Sequence, residues 1–181
     1  MRRRALLDFA VLGLLHESPM HGYELRRRLN AALGAFRALS FGTLYPCLKA
    51  LLQAGLIVED AQVAPTGKRP RITYALTEAG REEFARQAAR IDPAAWEDDG
   101  FELRVAFFSR TDRDTRLRIL EGRRSRLEER LDTMRSSAQR SRDRMDSWTA
   151  ALQRHAEDST EREVRWLTEL IDAEHRPGPP A

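Results

Sequence analysis

The chain has 181 residues, room for one large domain or two small ones with a real core. Apolar residues make up 41% and charged residues 33%, with Leu, Ala, Arg and Glu dominant, which favours helices; the single cysteine, Cys47, excludes an internal disulfide, speaks against a cysteine-based metal site and fits a reducing compartment. The net charge of +3 is unevenly spread, +6 over residues 1–90 and −3 over 91–181, so an anionic partner is expected for the first half alone.

The opening MRRRALLDFAVLGLLHE resembles a signal peptide at first sight. Its apolar stretch carries Asp8, however, and has helical periodicity, and no small-residue cleavage site follows. No run approaches the roughly 18 apolar residues of a membrane span, so a cytoplasmic protein is expected. Leu7, Ala10, Val11, Leu14 and Leu15 define one face of a first helix; Leu6 and Phe9 add a second apolar edge, and Ser18 and Pro19 end it. A second helix is predicted from about His21, with Leu25, Leu29 and Leu33 on one stripe and Gly34 as its stop. In SFGTLYPCLKALLQAGLI, Leu44, Cys47, Leu48, Leu51 and Leu52 form the apolar face of a third helix, with Gly55 at a left-handed C-cap.

Then the period changes. LIVEDAQ and RITYAL read as two strands joined by VAPTGKRP, with Ile72, Tyr74 and Leu76 on the buried side of the second. Lys68, Arg69 and Arg71 cluster at the exit of the turn, and Thr77 caps a fourth helix. Three helices, a basic-tipped hairpin and a fourth helix is the order of a winged helix-turn-helix, although other small α+β domains share it. Residues 1–91 are thus one expected domain. DPAAWEDDG, residues 92–100, reads as an acidic linker or lid.

FELRVAFFS opens a second, all-helical domain over residues 101–175, and residues 176–181 form a frayed tail. A seven-residue repeat places Leu117, Arg124, Leu131, Ala138, Met145 and Leu152 in one phase and Leu120, Leu127, Met134, Ser141, Trp148 and His155 in the other. Such a seam predicts a long coiled-coil-like helix, with a break allowed at Ser136–Ser137. Thr160 and Glu163 form a capping box for a short last helix. Two uses of the seam compete: an interface between two copies of the chain, or an antiparallel pair within one chain. The first is expected, because so long a seam outlasts the short partner helix. Its contacts would be Leu117, Leu120, Leu127, Leu131, Met134, Met145, Trp148 and Leu152.

On the third helix, the side opposite Leu44 carries Gly42, Pro46, Lys49 and Gln53, flanked by Thr43 and Tyr45. Gly42 permits close backbone approach. If Thr43 is the cap, Pro46 falls in the first turn, where the missing N–H costs nothing; if Ser40 is the cap, Pro46 lies deeper and distorts the helix. Either way the positive end of the helix faces outward, as phosphate or a groove edge requires.

These residues resemble the third helix of the PadR family of bacterial transcriptional regulators. FAVLGLLHESPMHGYEL is similar to that family's first two helices, and GKRPRITYALTEAG to its wing and following helix, so that the resemblance covers about residues 5–90. It implies a repressor that binds double-stranded operator DNA. Ser40, Gly42, Thr43, Tyr45 and Lys49 would lie at the groove, His21 and Tyr23 on the backbone, and Lys68, Arg69 and Arg71 in the wing. The wing is one residue longer than the usual Gly-Arg-Pro-Arg, which leaves the principal contact to either Lys68 or Arg69. The family also implies a homodimer held by C-terminal helices, reading half-sites about 34–36 Å apart or a multiple of that. Release by a small-molecule effector is a further expectation, with Trp96 as its candidate contact.

An enzyme is the main rival and is not expected. His16 and His21 are off the i, i+4 spacing of a helical zinc pair, and neither a third metal ligand, a phosphate loop nor a nucleophile elbow accompanies them. No metal and no cofactor is therefore expected. A winged helix used purely for protein contacts is the second rival, against which the basic wing argues.

Overall fold

The structure, a computed structural model, describes residues 2–32, 41–60, 72–91, 95–141 and 146–176. It is mainly helical, with seven helices and one small antiparallel sheet among the described residues. The chain divides into two compact units. One comprises residues 1–90 and 102–111; the other comprises 91–101 and 112–181.

The first unit is built around helix α1 (Arg2–Glu17), which packs against three other helices and a strand. Its predicted apolar face is buried throughout, and Leu12 on the remaining side is fully buried too. A helix apolar on nearly every side belongs in the middle of a core. Pro19 ends it, and Met20–His21 form a two-residue strand β1 that the sequence reading missed, because two residues carry no period. Helix α2 (Gly22–Ala32) buries Leu25 and Leu29; the predicted Leu33 and Gly34 lie outside the described residues. Helix α3 (Phe41–Gln53) buries Leu44, Cys47, Leu48 and Leu51, as its periodicity predicts.

Gly55 ends α3 in the left-handed region, at φ +68°. The Leu56 N–H bonds the Leu51 carbonyl and the Gly55 N–H that of Leu52, both at 3.0 Å, the paired closure of a Schellman cap. Strands β2 (Ile57–Asp60) and β3 (Thr73–Leu76) pair antiparallel, Ile57 opposite Leu76 and Asp60 opposite Thr73. β1 adds to the other edge of β3, giving the order β1-β3-β2. Tyr74 and Leu76 are buried as predicted, but Ile72 lies before the strand and is exposed. Thr77 caps helix α4 (Glu78–Ala89), accepting from the Gly80 N–H at 3.0 Å and donating its own hydroxyl to the carbonyls of Gly55 and Leu56. Gly80 has no substitute here, since a Cβ would lie 2.0 Å from the Leu56 carbonyl oxygen.

Helix α5 (Asp98–Ala106) begins three residues earlier than the linker reading allows. Its last turn, with the following 3-10 turn at Phe108–Arg110, completes the first unit. Phe107 stacks edge-on against Phe9 and Phe84, and Arg104 donates to the Gln87 and Ala88 carbonyls at the end of α4.

In the second unit, helices α6 (Arg113–Ser141) and α7 (Ser147–His175) form an antiparallel pair. Arg116 grips Glu174, Arg123 grips Glu163, and Gln153 donates to the Met134 carbonyl, partners whose numbers run in opposite directions. Two expectations are corrected. The seam is carried by two antiparallel helices rather than one long one; α6 runs unbroken through Ser136–Ser137, where the sequence left a break open. The last helix does not start at Thr160. It starts at Ser147, capped by Asp146, whose carboxylate accepts from the N–H groups of Trp148 and Thr149. Thr160 sits in mid-helix with its hydroxyl on the Ala156 carbonyl.

Leu120, Leu127 and Leu131 are therefore buried within one chain, whereas Trp148 and Leu152 are 84% and 70% exposed. Leu117 and Met134 are half-buried, and Met145 lies outside the described residues. No described helix is long and apolar enough to cross a membrane.

Candidate nucleic-acid interface

Helix α3 separates two surfaces cleanly. Leu44 and Leu48 are fully buried beneath it, while Thr43, Tyr45, Pro46 and Lys49 are exposed on the outside. The helix already includes Phe41 and Gly42, so Thr43 is not its cap, and Pro46 is its sixth residue. At that depth a proline deprives the Gly42 carbonyl of its i+4 donor and sets its ring against that carbonyl.

Helix α2 meets α3 at its first residue. A side-chain carbon on Gly22 would lie 3.6 Å from the Tyr45 hydroxyl oxygen and 3.7 Å from the Tyr74 ring. Tyr23, 66% exposed, has the Arg26 guanidinium over its ring at 5.8 Å. His21, Tyr23, Glu24 and Arg27 line a shallow hollow of about 550 Å³. Glu24 is held by Arg28 at 3.0 Å and Arg27 at 3.8 Å, and Arg28 also reaches Glu17 at 3.1 Å. Tyr74 behind them stays protonated: burial pushes its phenol up, and Glu59 and Tyr45 add to the effect.

His21 does not open α2, as the sequence suggested. It occupies β1 opposite Thr73, with Nδ1 2.9 Å from the Thr73 hydroxyl oxygen and 3.3 Å from the Ile72 carbonyl oxygen. The fold thus gathers His21, Tyr23 and Tyr45 at one end of the sheet, with Lys49 further along the outer face of α3. Ser40, Lys68, Arg69 and Arg71 lie outside the described residues. Arg26, Arg27 and Thr73 were not singled out in the sequence. The arginines belong to no motif, and Thr73 reaches His21 only through strand pairing across 52 positions.

In the second unit Trp96 packs against Gly122, where a Cβ would lie 2.3 Å from the indole nitrogen. That N–H is buried without a hydrogen-bond partner among the described residues. The Trp96 carbonyl accepts from Arg123 at 2.7 Å. Arg123 also bridges Asp98 and Glu163, each at 2.7 Å, and lies 5.3 Å from the Phe101 ring centre.

Helices α1 to α4 with the β2–β3 hairpin define a winged-helix domain, a scaffold whose third helix is exposed for reading a partner. Residues 11–86 match the model of the transcriptional regulator PadR-like family. The chain is 30% identical over 105 residues to the negative transcriptional regulator PadR of Bacillus subtilis (strain 168). That match takes in 58% of this chain and spans 57%, just over half, of the relative's length. Among solved structures, Bacillus subtilis PadR in complex with operator DNA is similar over 93% of this chain and 98% of that one, at 23% identity and TM-score 0.46. A PadR-like transcription factor from Bacteroides fragilis is similar over 49% of this chain and 82% of that one, at 28% identity and TM-score 0.44.

Proposed function

We propose that the chain is a DNA-binding transcriptional regulator, a dimeric repressor that reads an inverted-repeat operator with α3. The observation that carries this is the two-sidedness of α3. Its leucines anchor it in the core, while Thr43, Tyr45 and Lys49 stand exposed on the outer face, and Tyr23 is exposed next to Gly22, which abuts Tyr45. A hydroxyl, a phenol and a cation are groups that read base edges and phosphates. Ser40, Gly42 and His21 extend this surface in the proposal, and Lys68, Arg69 and Arg71 supply the wing's phosphate contacts. The naming of the Bacillus relative as a negative regulator supports the repressor reading.

For the dimer, support comes from Trp148 and Leu152. They lie one turn apart and exposed at the start of α7, an apolar pair that a monomer leaves in water. For a small-molecule effector, support comes from Trp96, whose buried indole N–H has no hydrogen-bond partner among the described residues.

The test is a gel shift on the DNA upstream of the chain's own gene, repeated across salt. Submicromolar binding that survives competitor DNA and falls steeply with salt is expected. Equal affinity for every sequence would instead favour a winged helix that serves protein contacts. Tyr45→Ala is expected to weaken the specific site more than random DNA. Lys68→Ala with Arg69→Ala is expected to weaken both and flatten the salt slope. Light scattering at micromolar concentration checks the dimer, and Trp148→Ser with Leu152→Ser is expected to shift it toward monomer.

A further inference from the structure

The ring of His21 is held by one edge. Its Nδ1 faces two oxygens, the Thr73 hydroxyl at 2.9 Å and the Ile72 carbonyl at 3.3 Å. A carbonyl oxygen can only accept, whereas a hydroxyl can accept or donate. A hydrogen on Nδ1 therefore satisfies both neighbours. A bare Nδ1 could take the Thr73 proton, but it would face the carbonyl lone pair to lone pair. The strand register that sets His21 opposite Thr73 thus fixes the tautomer, with the hydrogen on Nδ1 and a lone pair on Nε2. In that state the outer edge of the ring repels an anion. It donates only after taking up one proton from solvent, when both nitrogens carry hydrogen.

We infer that His21 is a proton-gated phosphate ligand, contacting the DNA backbone through Nε2 only as the imidazolium, so that DNA affinity rises as pH falls. The inference rests on the DNA-binding function proposed above. Among the described residues, ionisable groups on three elements flank the ring. On α2, Tyr23, Glu24 and Arg27 share its hollow. Glu24 is itself engaged by Arg27 and Arg28. β3 contributes Tyr74, kept protonated by burial, and α3 contributes Tyr45 next to Gly22. None of these groups places a second fixed donor at Nδ1, so the carbonyl decides where the hydrogen sits.

The experiment is fluorescence anisotropy with a labelled random-sequence duplex at about 50 mM salt, where phosphate contacts dominate. It is run from about pH 5.5 to about pH 8.5, across the range in which imidazoles take up a proton. The wild-type affinity is expected to fall roughly tenfold from the acid to the alkaline end. His21→Asn keeps a donor near the Ile72 carbonyl but has no atom at the Nε2 position. It is expected to bind at the weak, alkaline affinity throughout. Equal pH slopes for wild type and His21→Asn would overturn the inference, as would pH-independent binding by the wild type. Nitrogen–proton correlation spectra of the free protein give a readout that needs no DNA. The Nδ1–H tautomer is expected at alkaline pH, and the Nε2–H tautomer would overturn the inference. Absence of binding to any duplex at every pH, with the expected tautomer intact, would instead overturn the DNA-binding function on which the inference rests.

Discussion

Cys47 donates its thiol hydrogen to the Asp8 carboxylate across 3.0 Å, joining α3 to α1. Burial pushes the thiol well above its ordinary range, and Asp8 pushes it further. The sequence places Cys47 on an apolar face and so reads it as core, correctly. It gives no hint of Asp8, which is 39 positions away and looks like a stray charge in an apolar helix. We expect the native thiol to react with a disulfide reagent about a hundredfold more slowly than the unfolded one at mildly alkaline pH; comparable rates would contradict the contact.

Glu174 illustrates the opposite shift. Hydrogen bonds from Arg116 hold its carboxyl below the ordinary 4.5. A carboxyl depressed in the folded state contributes stability that is present above its unfolded pKa and lost as pH falls through the folded one. Glu174→Gln should therefore cost about 1 kcal/mol near neutrality, since both side chains are partly exposed, and the cost should vanish in acid. Urea melts of both proteins at the two pH values measure it.

Among the elements, α3 and α7 differ in how plainly they could be read. The buried face of α3 was legible because Leu44, Cys47, Leu48 and Leu51 follow the helical period, yet its start was not. Gly42, Thr43 and Pro46 are poor helix formers, and tertiary burial overrides that local preference. Pro46→Ala restores a donor for the Gly42 carbonyl and should stabilise the fold by about 1–2 kcal/mol, less than the full helix-interior penalty because alanine also frees the unfolded chain. An unchanged or lowered melting temperature would mean that the first turn of α3 is not closed as described.

On α7 the misreading has a plain cause. A threonine followed three residues later by a glutamate suits a helix start, but both side chains find other partners in mid-helix, Thr160 on the Ala156 carbonyl and Glu163 on Arg123. The true cap, Asp146, lies where the heptad pattern appears to run on. Asp146→Ala should lower the melting temperature, whereas Thr160→Ala should not, since alanine is the better helix former. The same heptad register explains why one chain can use the seam itself: α7 is as long as α6, 29 residues each, so the partner judged too short is a full match.

At the scale of the whole molecule, the two units interleave along the chain. Residues 102–111 return to the first unit after 91–101 have joined the second. Phe107 is 2% exposed, and a Cβ at Gly13 would lie 2.6 Å from its ring. Glycine at that position of α1 is what admits the phenylalanine. The boundary expected near residue 91 rests on the acidic stretch 92–100, and composition along a sequence says nothing about a segment that comes back. Phe107→Ala should cost about 3–5 kcal/mol. A fragment ending at residue 91 should melt below one ending at 111, as circular dichroism would show; equal melting would mean that the returning segment adds nothing to the first unit.

That return has a consequence for how such a protein can change over generations. A reading head that ends where its last helix ends can be exchanged between genes as a cassette. Here a recombination joint anywhere between residues 91 and 107 would leave a hollow against Phe9 and Phe84 that the new downstream partner must fill. Inheritance of the two units together, rather than free shuffling of the first, is the outcome this packing favours.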